Sequence, residues 1–322
     1  MSDSKWLPSE ADLLAIMENR LRELQAQAEH QWYADWSKLM NEDDEIEWLV
    51  EDVWPMGRQL HMHAARKTGK SLLTLWIAAN IATGRDPFTG REREPVRVAY
   101  LDHEMTPADV RERITDMGFA DYQLHGWLFY GFHPVMPPLD TQAGGLDLMR
   151  KVEGVQAKVV IIDTFSRVVQ GEENSNDTAI NFYRFTGSLL KAAGVAMLRL
   201  DHEGHTSEHS RGGSAKADDV DVVWRLTRTD DGVKLIRKAS RISWVPEIVN
   251  LRQTEPLGYE RCGGSVPEGT LEKVRELDAL GAPIDVSKRQ MIAWLKERDI
   301  APGRSTILMA AITYRKNRIF GV

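Results

Sequence analysis

Ala64-Ala65-Arg66-Lys67-Thr68-Gly69-Lys70-Ser71 lies between a short apolar run, Gln59-Leu60-His61-Met62-His63, and a helical pattern from Leu72 to Ala82. A strand, a loop and a helix with Gly-Lys-Ser at the turn is an arrangement in which main-chain N–H groups converge on a phosphate at a helix amino terminus. In that reading Ala64 to Leu72 cradle the phosphates, Lys70 neutralises their charge, and the Ser71 hydroxyl ligates Mg²⁺. The stretch departs from G-x-x-x-x-G-K-[ST] at its first position, Ala64. A Cβ disfavours positive φ, so either the backbone keeps φ negative at Ala64 or this is no phosphate loop.

Working outward, strand and helix patterns alternate. Val96 to Leu101 and the fully apolar Val159-Val160-Ile161-Ile162 read as buried strands, as do Trp127 to Phe132 and Val195 to Leu200. Helical stretches separate them, one opened by Thr106-Pro107-Ala108-Asp109, which combines a cap, a first-turn proline and an acid at the third position. Alternation of this kind predicts a mostly parallel sheet covered on both faces. Val222 to Thr227 and Val233 to Ile236, joined across Asp230-Asp231-Gly232, predict an antiparallel hairpin.

In a parallel sheet the ligand sits beyond the carboxyl ends of the strands. The strand ends here are Asp102-His103-Glu104, Asp163 and Asp201-His202-Glu203-Gly204-His205. An apolar strand closed by Asp163 is the partner that a phosphate loop needs to hold Mg²⁺ through water. The acid and imidazole clusters also leave open a different class of function, a metal-dependent nuclease.

The order of these motifs resembles the RecA-type ATPases, most closely the RepA-like hexameric helicase group. The residues that carry the likeness are Ala64 to Ser71, Leu101 to Met105, Ile161 to Thr164 with Glu173-Asn174-Ser175, Asp201 to His205, and Arg211 to Lys216 with Asp221. It spans roughly residues 50–245. The resemblance implies an α/β, RecA-like P-loop core that hydrolyses ATP with Mg²⁺. It implies Glu104 as the general base that orients the attacking water, with Asp102 as the alternative, and His202 as a sensor of the γ-phosphate. It implies a cation donated by the next subunit, for which Lys238 and Arg241 are the candidates, with Arg211 a third. The loop carrying His205, His209, Arg211 and Lys216 is implied to grip single-stranded DNA in a central channel, and a Gly-rich basic loop suits backbone contact without base readout. The partners implied are DNA, single-stranded or branched, and further copies of the chain in a hexameric ring.

The flanks divide the chain. Residues 1–50 are expected to form a helical arm, with Leu13, Met17, Leu21, Leu24 and Ala28 on one stripe. That arm packs either on the core or on a neighbouring copy. Residues 51–253 form the core, the Gly- and Pro-rich 254–269 a linker, and 270–322 a small helix-turn-helix or winged-helix-like domain. Ser287-Lys288-Arg289-Gln290 is a capping box in it. Residues 286–322 carry eight basic and two acidic side chains, a charge of +6, which leaves −13 of the net −7 on the remainder. A basic tail on an acidic body points to a polyanionic or protein partner.

Of the 322 residues, 42% are hydrophobic and 28% charged, an ordinary globular composition. No apolar run approaches the ~20 residues that cross a bilayer, so no membrane partner is expected. Met1 to Pro8 lacks a basic-then-apolar leader pattern. One cysteine, Cys262, makes no internal disulfide, and a reducing cytoplasm is the expected compartment. The expected function is a ring-forming, DNA-dependent ATPase motor of replication or recombination. The alternatives are the metal nuclease and an ATP-switched DNA-binding or loader protein.

Overall fold

The computed structural model describes Trp36, Met40 and residues 46–173, 175–203, 218–262 and 269–320. The chain divides after Asp44, and every element below belongs to the unit from Glu45 to Val322. The expected stripe from Leu13 to Ala28 lies outside the described residues.

A hairpin comes first, β1 (Trp48–Val50) and β2 (Trp54–Pro55). The first half of the core follows: β3 (Gln59–Ala64), α1 (Lys70–Ala82), β4 (Val98–Asp102), α2 (Pro107–Asp116), α3 (Asp121–Leu124), β5 (Leu128–Phe132), α4 (Gln142–Val155) and β6 (Val159–Asp163). Next come α5 (Phe165–Val168), α6 (Asn176–Phe182), a π-helical turn (Tyr183–Gly187), α7 (Ser188–Ala192) and β7 (Ala196–His202). The strands β8 (Val222–Arg228), β9 (Gly232–Ser240), β10 (Ile248–Thr254) and β11 (Gly258–Arg261) precede three helices, α8 (Thr270–Ala279), α9 (Lys288–Lys296) and α10 (Ser305–Phe320).

The main sheet has nine strands in the order β11-β10-β9-β8-β3-β7-β6-β4-β5. From β8 to β5 the strands run parallel, and from β8 to β11 they are antiparallel. This is the mostly parallel, RecA-like core that the motif order implied. The run Val159-Val160-Ile161-Ile162 shows why the centre is continuously apolar. Val159 and Ile161 face α1 together with Leu60, Met62, Leu73, Ile77 and Leu198. Val160 and Ile162 face the other way, onto Leu148, Phe165, Phe182, Leu190 and Met197. Because helices cover both faces, neither parity of the strand is exposed, and alternation disappears.

Two local signals act as expected. The Thr106 side chain accepts from Asp109 N–H while Asp109 answers the Thr106 amide, closing the box that starts α2. Ser287 and Gln290 do the same for α9. On the second face, α4 approaches the π-helical turn so closely that a Cβ at Gly145 would stand 1.7 Å from the Phe185 carbonyl oxygen.

The structure bears on three expectations. The stretch 254–269, expected as a linker, gives Gly258–Arg261 to the sheet as β11, paired with β10. Gly258 is there because a Cβ would stand 2.8 Å from the Trp76 ring on α1, a tertiary constraint that reads locally as a linker glycine. The last three helices have a core of their own, with Val274, Leu277, Met291, Leu295, Leu308 and Ile312. Among the described residues no strand accompanies them. Arg315, counted above in the basic tail, is 2% exposed: it pairs with Asp278 and donates to the carbonyls of Ala282 and Pro283. No helix among the described residues is long and apolar enough to cross a membrane.

Gly145→Ala is expected to cost about 2–3 kcal/mol by overpacking, read as a thermal midpoint several degrees lower. Gly154→Ala in the same helix meets no atom within 4 Å and is expected to be neutral or stabilising by a few tenths to about 1 kcal/mol. Equal midpoints for the two variants would contradict the close approach.

Candidate nucleotide site

The phosphate loop leaves β3 at Ala64 and enters α1 at Lys70. Ala64 is fully buried and stays in the strand, paired with His202. It is not among the positive-φ residues; the loop places its left-handed turns at Lys67 (φ 60°) and Gly69 (φ 99°) instead. A methyl group at Ala64 is therefore compatible with the loop. Gly69 caps α1 without a side-chain hydrogen bond, and the first turn holds no acid. The leading amides of α1 and the positive end of its dipole are left to an anion.

Lys70 is 6% exposed. Its Nζ donates to the Ala64 carbonyl at 3.2 Å and approaches His202 Nδ1 at 3.1 Å. Burial pushes its pKa down, while the carboxylates of Asp163, Glu104, Asp201 and Glu203 pull it back up. On the other side of the imidazole, Nε2 of His202 lies 3.5 Å from Glu104 Oε1. An ammonium on Nδ1 requires that atom to accept, so the ring hydrogen sits on Nε2 and faces Glu104. Lysine, histidine and glutamate thus form a chain across the ends of β3, β7 and β4.

The structure separates the two candidates for general base. Asp102 is fully buried, and both its oxygens are engaged. Oδ1 accepts from the amides of Glu104 (2.7 Å) and Met105 (3.1 Å), and Oδ2 accepts from the Tyr130 hydroxyl. Its work is to close the turn that presents Glu104. Glu104 keeps a side chain that is 35% exposed. Geometry therefore favours Glu104 over Asp102.

Asp163 ends β6 opposite Ser71. Its Oδ2 accepts from the Tyr100 hydroxyl at 3.0 Å, and its buried Oδ1 has no hydrogen-bond partner. Burial lifts its pKa to about 6; the Ser71 and Tyr100 hydroxyls oppose the rise, and Asp102 and Glu104 add to it. An orphaned carboxylate oxygen beside a serine hydroxyl fits a hydrated Mg²⁺. Ser71 and Asp163 are the residues that would hold the ion, which when bound offsets phosphate charge.

Other contacts were not legible from motif spacing. Tyr100 and Tyr130 stack at 4.6 Å and hold the two buried acids. Glu203 joins Arg225 (2.5 Å) to His63 (3.4 Å) beside the loop. Burial alone would lift the Glu203 carboxyl, but Arg225 outweighs it, and His63 adds to the lowering. Arg199 is fully buried and pairs with Asp219 at 2.8 Å, its guanidinium over Phe165 and Phe182. The bare sequence signal for each is only a polar residue inside or beside an apolar strand.

Lys238 and Arg241 stand apart from the loop. Arg241 lies one residue past the end of β9, its amide bonded to the Asp221 carbonyl at the amino end of the sheet. Lys238 is exposed on β9, between the residues that pair with Val223 and Trp224. Neither is placed to reach the phosphate loop of its own chain. A cavity of 580 Å³ lined by Arg237, Lys238, Ser243 and Glu247 lies at that end as well. His205, His209, Arg211 and Lys216 lie outside the described residues. Among the described residues no group of three or more His, Cys, Asp or Glu is arranged to hold a metal.

Fold and site define a P-loop nucleotide-binding protein with a RecA-like core. Residues 20–208 match the family described as AAA domain, and the chain belongs to that family. No curated protein matches the sequence. Among solved structures, the KaiC-like protein PH0186 from the hyperthermophilic archaeon Pyrococcus horikoshii OT3 is similar at a TM-score of 0.48 and 16% identity, over 67% of this chain and 94% of that one.

Because the pKa of Asp163 is raised in the folded state, its ionised form costs stability above pH 6, and the cost fades as pH falls toward the unfolded value of about 3.9. The rise to about 6 corresponds to about 3 kcal/mol at most. Asp163→Asn is therefore expected to raise the thermal midpoint of the nucleotide-free protein at pH 8, with roughly half that gain at pH 5. The same variant is expected to lose Mg²⁺-dependent nucleotide affinity. An unchanged midpoint at pH 8 would show that Asp163 is not a buried charge.

Proposed function

We propose that this chain is a DNA-dependent ATPase of the RepA-like helicase kind, working as a ring of identical subunits in DNA replication or recombination. The observation that supports it most is the chain Lys70–His202–Glu104. A cation for the phosphates and a base for water meet on one histidine, and that histidine ends the strand from which the basic segment 204–217 departs.

In this reading ATP enters with its phosphates against the amides of Gly69 to Leu72, and Lys70 turns from the Ala64 carbonyl to the β- and γ-phosphates. The turn removes the donor from His202 Nδ1. His202 is then free to bond the γ-phosphate, and Glu104, relieved of its contact, orients a water for in-line attack. Asp163 and Ser71 would hold Mg²⁺. His205, His209, Arg211 and Lys216 contact single-stranded DNA. Because they lie within fourteen residues of His202 in the chain, strand contact and phosphate sensing would share one segment. Lys238 or Arg241 would serve the neighbouring subunit's phosphates, since neither reaches its own.

ATP turnover measured with and without single-stranded DNA tests the proposal, together with unwinding of a forked duplex and negative-stain images with ATP. Stimulation by DNA, strand separation and six-fold rings are expected. Lys70→Ala is expected to reduce turnover at least 100-fold, because a phosphate-contacting cation carries several kcal/mol of transition-state charge stabilisation. ATP-dependent DNA binding without strand separation would favour the loader reading, and monomers with DNA-independent turnover would refute the motor.

A further inference from the structure

Three basic side chains that this mechanism leaves unused stand on the same edge of the sheet. His103 follows β4, and its amide donates to the Asp163 carbonyl at 2.9 Å. His133 follows β5, and its amide donates to the Asp102 carbonyl at 2.7 Å. Arg167 lies on α5, just after β6, with its amide on the Thr164 carbonyl at 3.1 Å. Since β5, β4 and β6 are neighbours in that order, main-chain bonds fix all three residues at adjacent strand ends.

Two of the side chains meet, and the charge of the third acts on one of them. The imidazoles of His103 and His133 meet nearly edge to face, 6.2 Å between centroids and 83° between planes. Nε2 of His103 is buried and has no hydrogen-bond partner. Burial, then the charge of His133, disfavours protonation of His103; Asp102 acts the other way, and Arg167 adds to the lowering. The one carboxylate in that set is already committed, to Tyr130 and to two amides. Arg167 is exposed, and among the described residues it has no acidic partner.

A buried ring nitrogen left without a partner is costly unless something reaches it. A permanent guanidinium beside two imidazole donors, with no carboxylate free to neutralise them, offers hydrogen bonds suited to a tetrahedral oxyanion. We propose that His103, His133 and Arg167 form a second anion site that takes a phosphate group, separate from the nucleotide loop. The group is either a phosphodiester of a nucleic-acid strand or free inorganic phosphate. The site does not require charged imidazoles: His103 donates from Nε2 as the neutral tautomer, and Arg167 supplies the charge. It lies beyond β6 from the strand that carries the loop, so it does not depend on the ATPase reading.

The full chain is tested as wild type, Arg167→Gln, His133→Asn and the double variant. Asparagine accepts the φ of 43° that His133 adopts, and Arg167 is a surface residue, so both folds should survive. Three measurements are made: anisotropy of a labelled oligothymidylate across a salt series, equilibrium dialysis of radiolabelled phosphate, and affinity for a fluorescent adenine nucleotide as the control. The double variant is expected to lose at least tenfold in affinity for the oligonucleotide or for phosphate, with nucleotide affinity held within twofold. Loss for the oligonucleotide comes with a log–log salt slope flatter by about 0.7 per contact removed, and assigns the site to the strand backbone. Loss for phosphate alone assigns it to the free anion. Should the double variant fail the nucleotide control, Arg167→Gln alone decides, with an expected loss of about fivefold for one charged contact. Unchanged affinity for both probes with the control intact overturns the proposal, as does a wild type that binds neither.

Discussion

A single buried ammonium organises the working edge of this molecule. Lys70 sits where four carboxylates, Asp163, Glu104, Asp201 and Glu203, act on it together. Taking that many charges out of water is expensive unless each is paired or hydrogen-bonded. The architecture around it is the solution. Tyr100 and Tyr130 donate to the two most buried acids, the Ala64 carbonyl and His202 take up the ammonium, and Arg225 neutralises Glu203 while His63 lies against it. What is left incomplete is Asp163 Oδ1 and the first amides of α1, one acceptor and a row of donors. A divalent cation and a phosphate fit those two gaps.

Much of the framework was legible in the sequence. The all-apolar strand ending in Asp163 announces a centre covered on both faces, and the capping boxes at Thr106 and Ser287 mark helix starts through local chemistry alone. Strand ends carrying acids could be aligned because parallel strands put their carboxyl ends on one side. What escaped notice depends on partners far away in the chain. Gly258 looks like a linker glycine until Trp76 is seen against it. Arg199 looks like a mistake in an apolar strand until Asp219 and two phenylalanines surround it. Asp102 and Glu104 are chemically near-equal in sequence, and only the hydrogen bonds of Asp102 in the fold tell them apart.

The same reasoning bears on the basic tail. Counted as sequence it is a strong positive segment, but Arg315 is consumed in holding α10 to α8, and Lys316 pairs with Asp285. A charge count overstates what a surface offers whenever a guanidinium has been used as an internal tie. The inverse holds at the sheet edge, where His103, His133 and Arg167 are unremarkable one at a time and acquire meaning only as neighbours.

The position of Lys238 and Arg241 gives the chain a direction. Its phosphate loop opens at the carboxyl ends of the strands, and Arg241 sits near the opposite ends. On the proposed reading, if Arg241 of one copy served the loop of the next through head-to-tail contact, each copy would be both giver and receiver. Repeated with a rotation that closes, such contact makes a ring; with one that does not, it makes a filament.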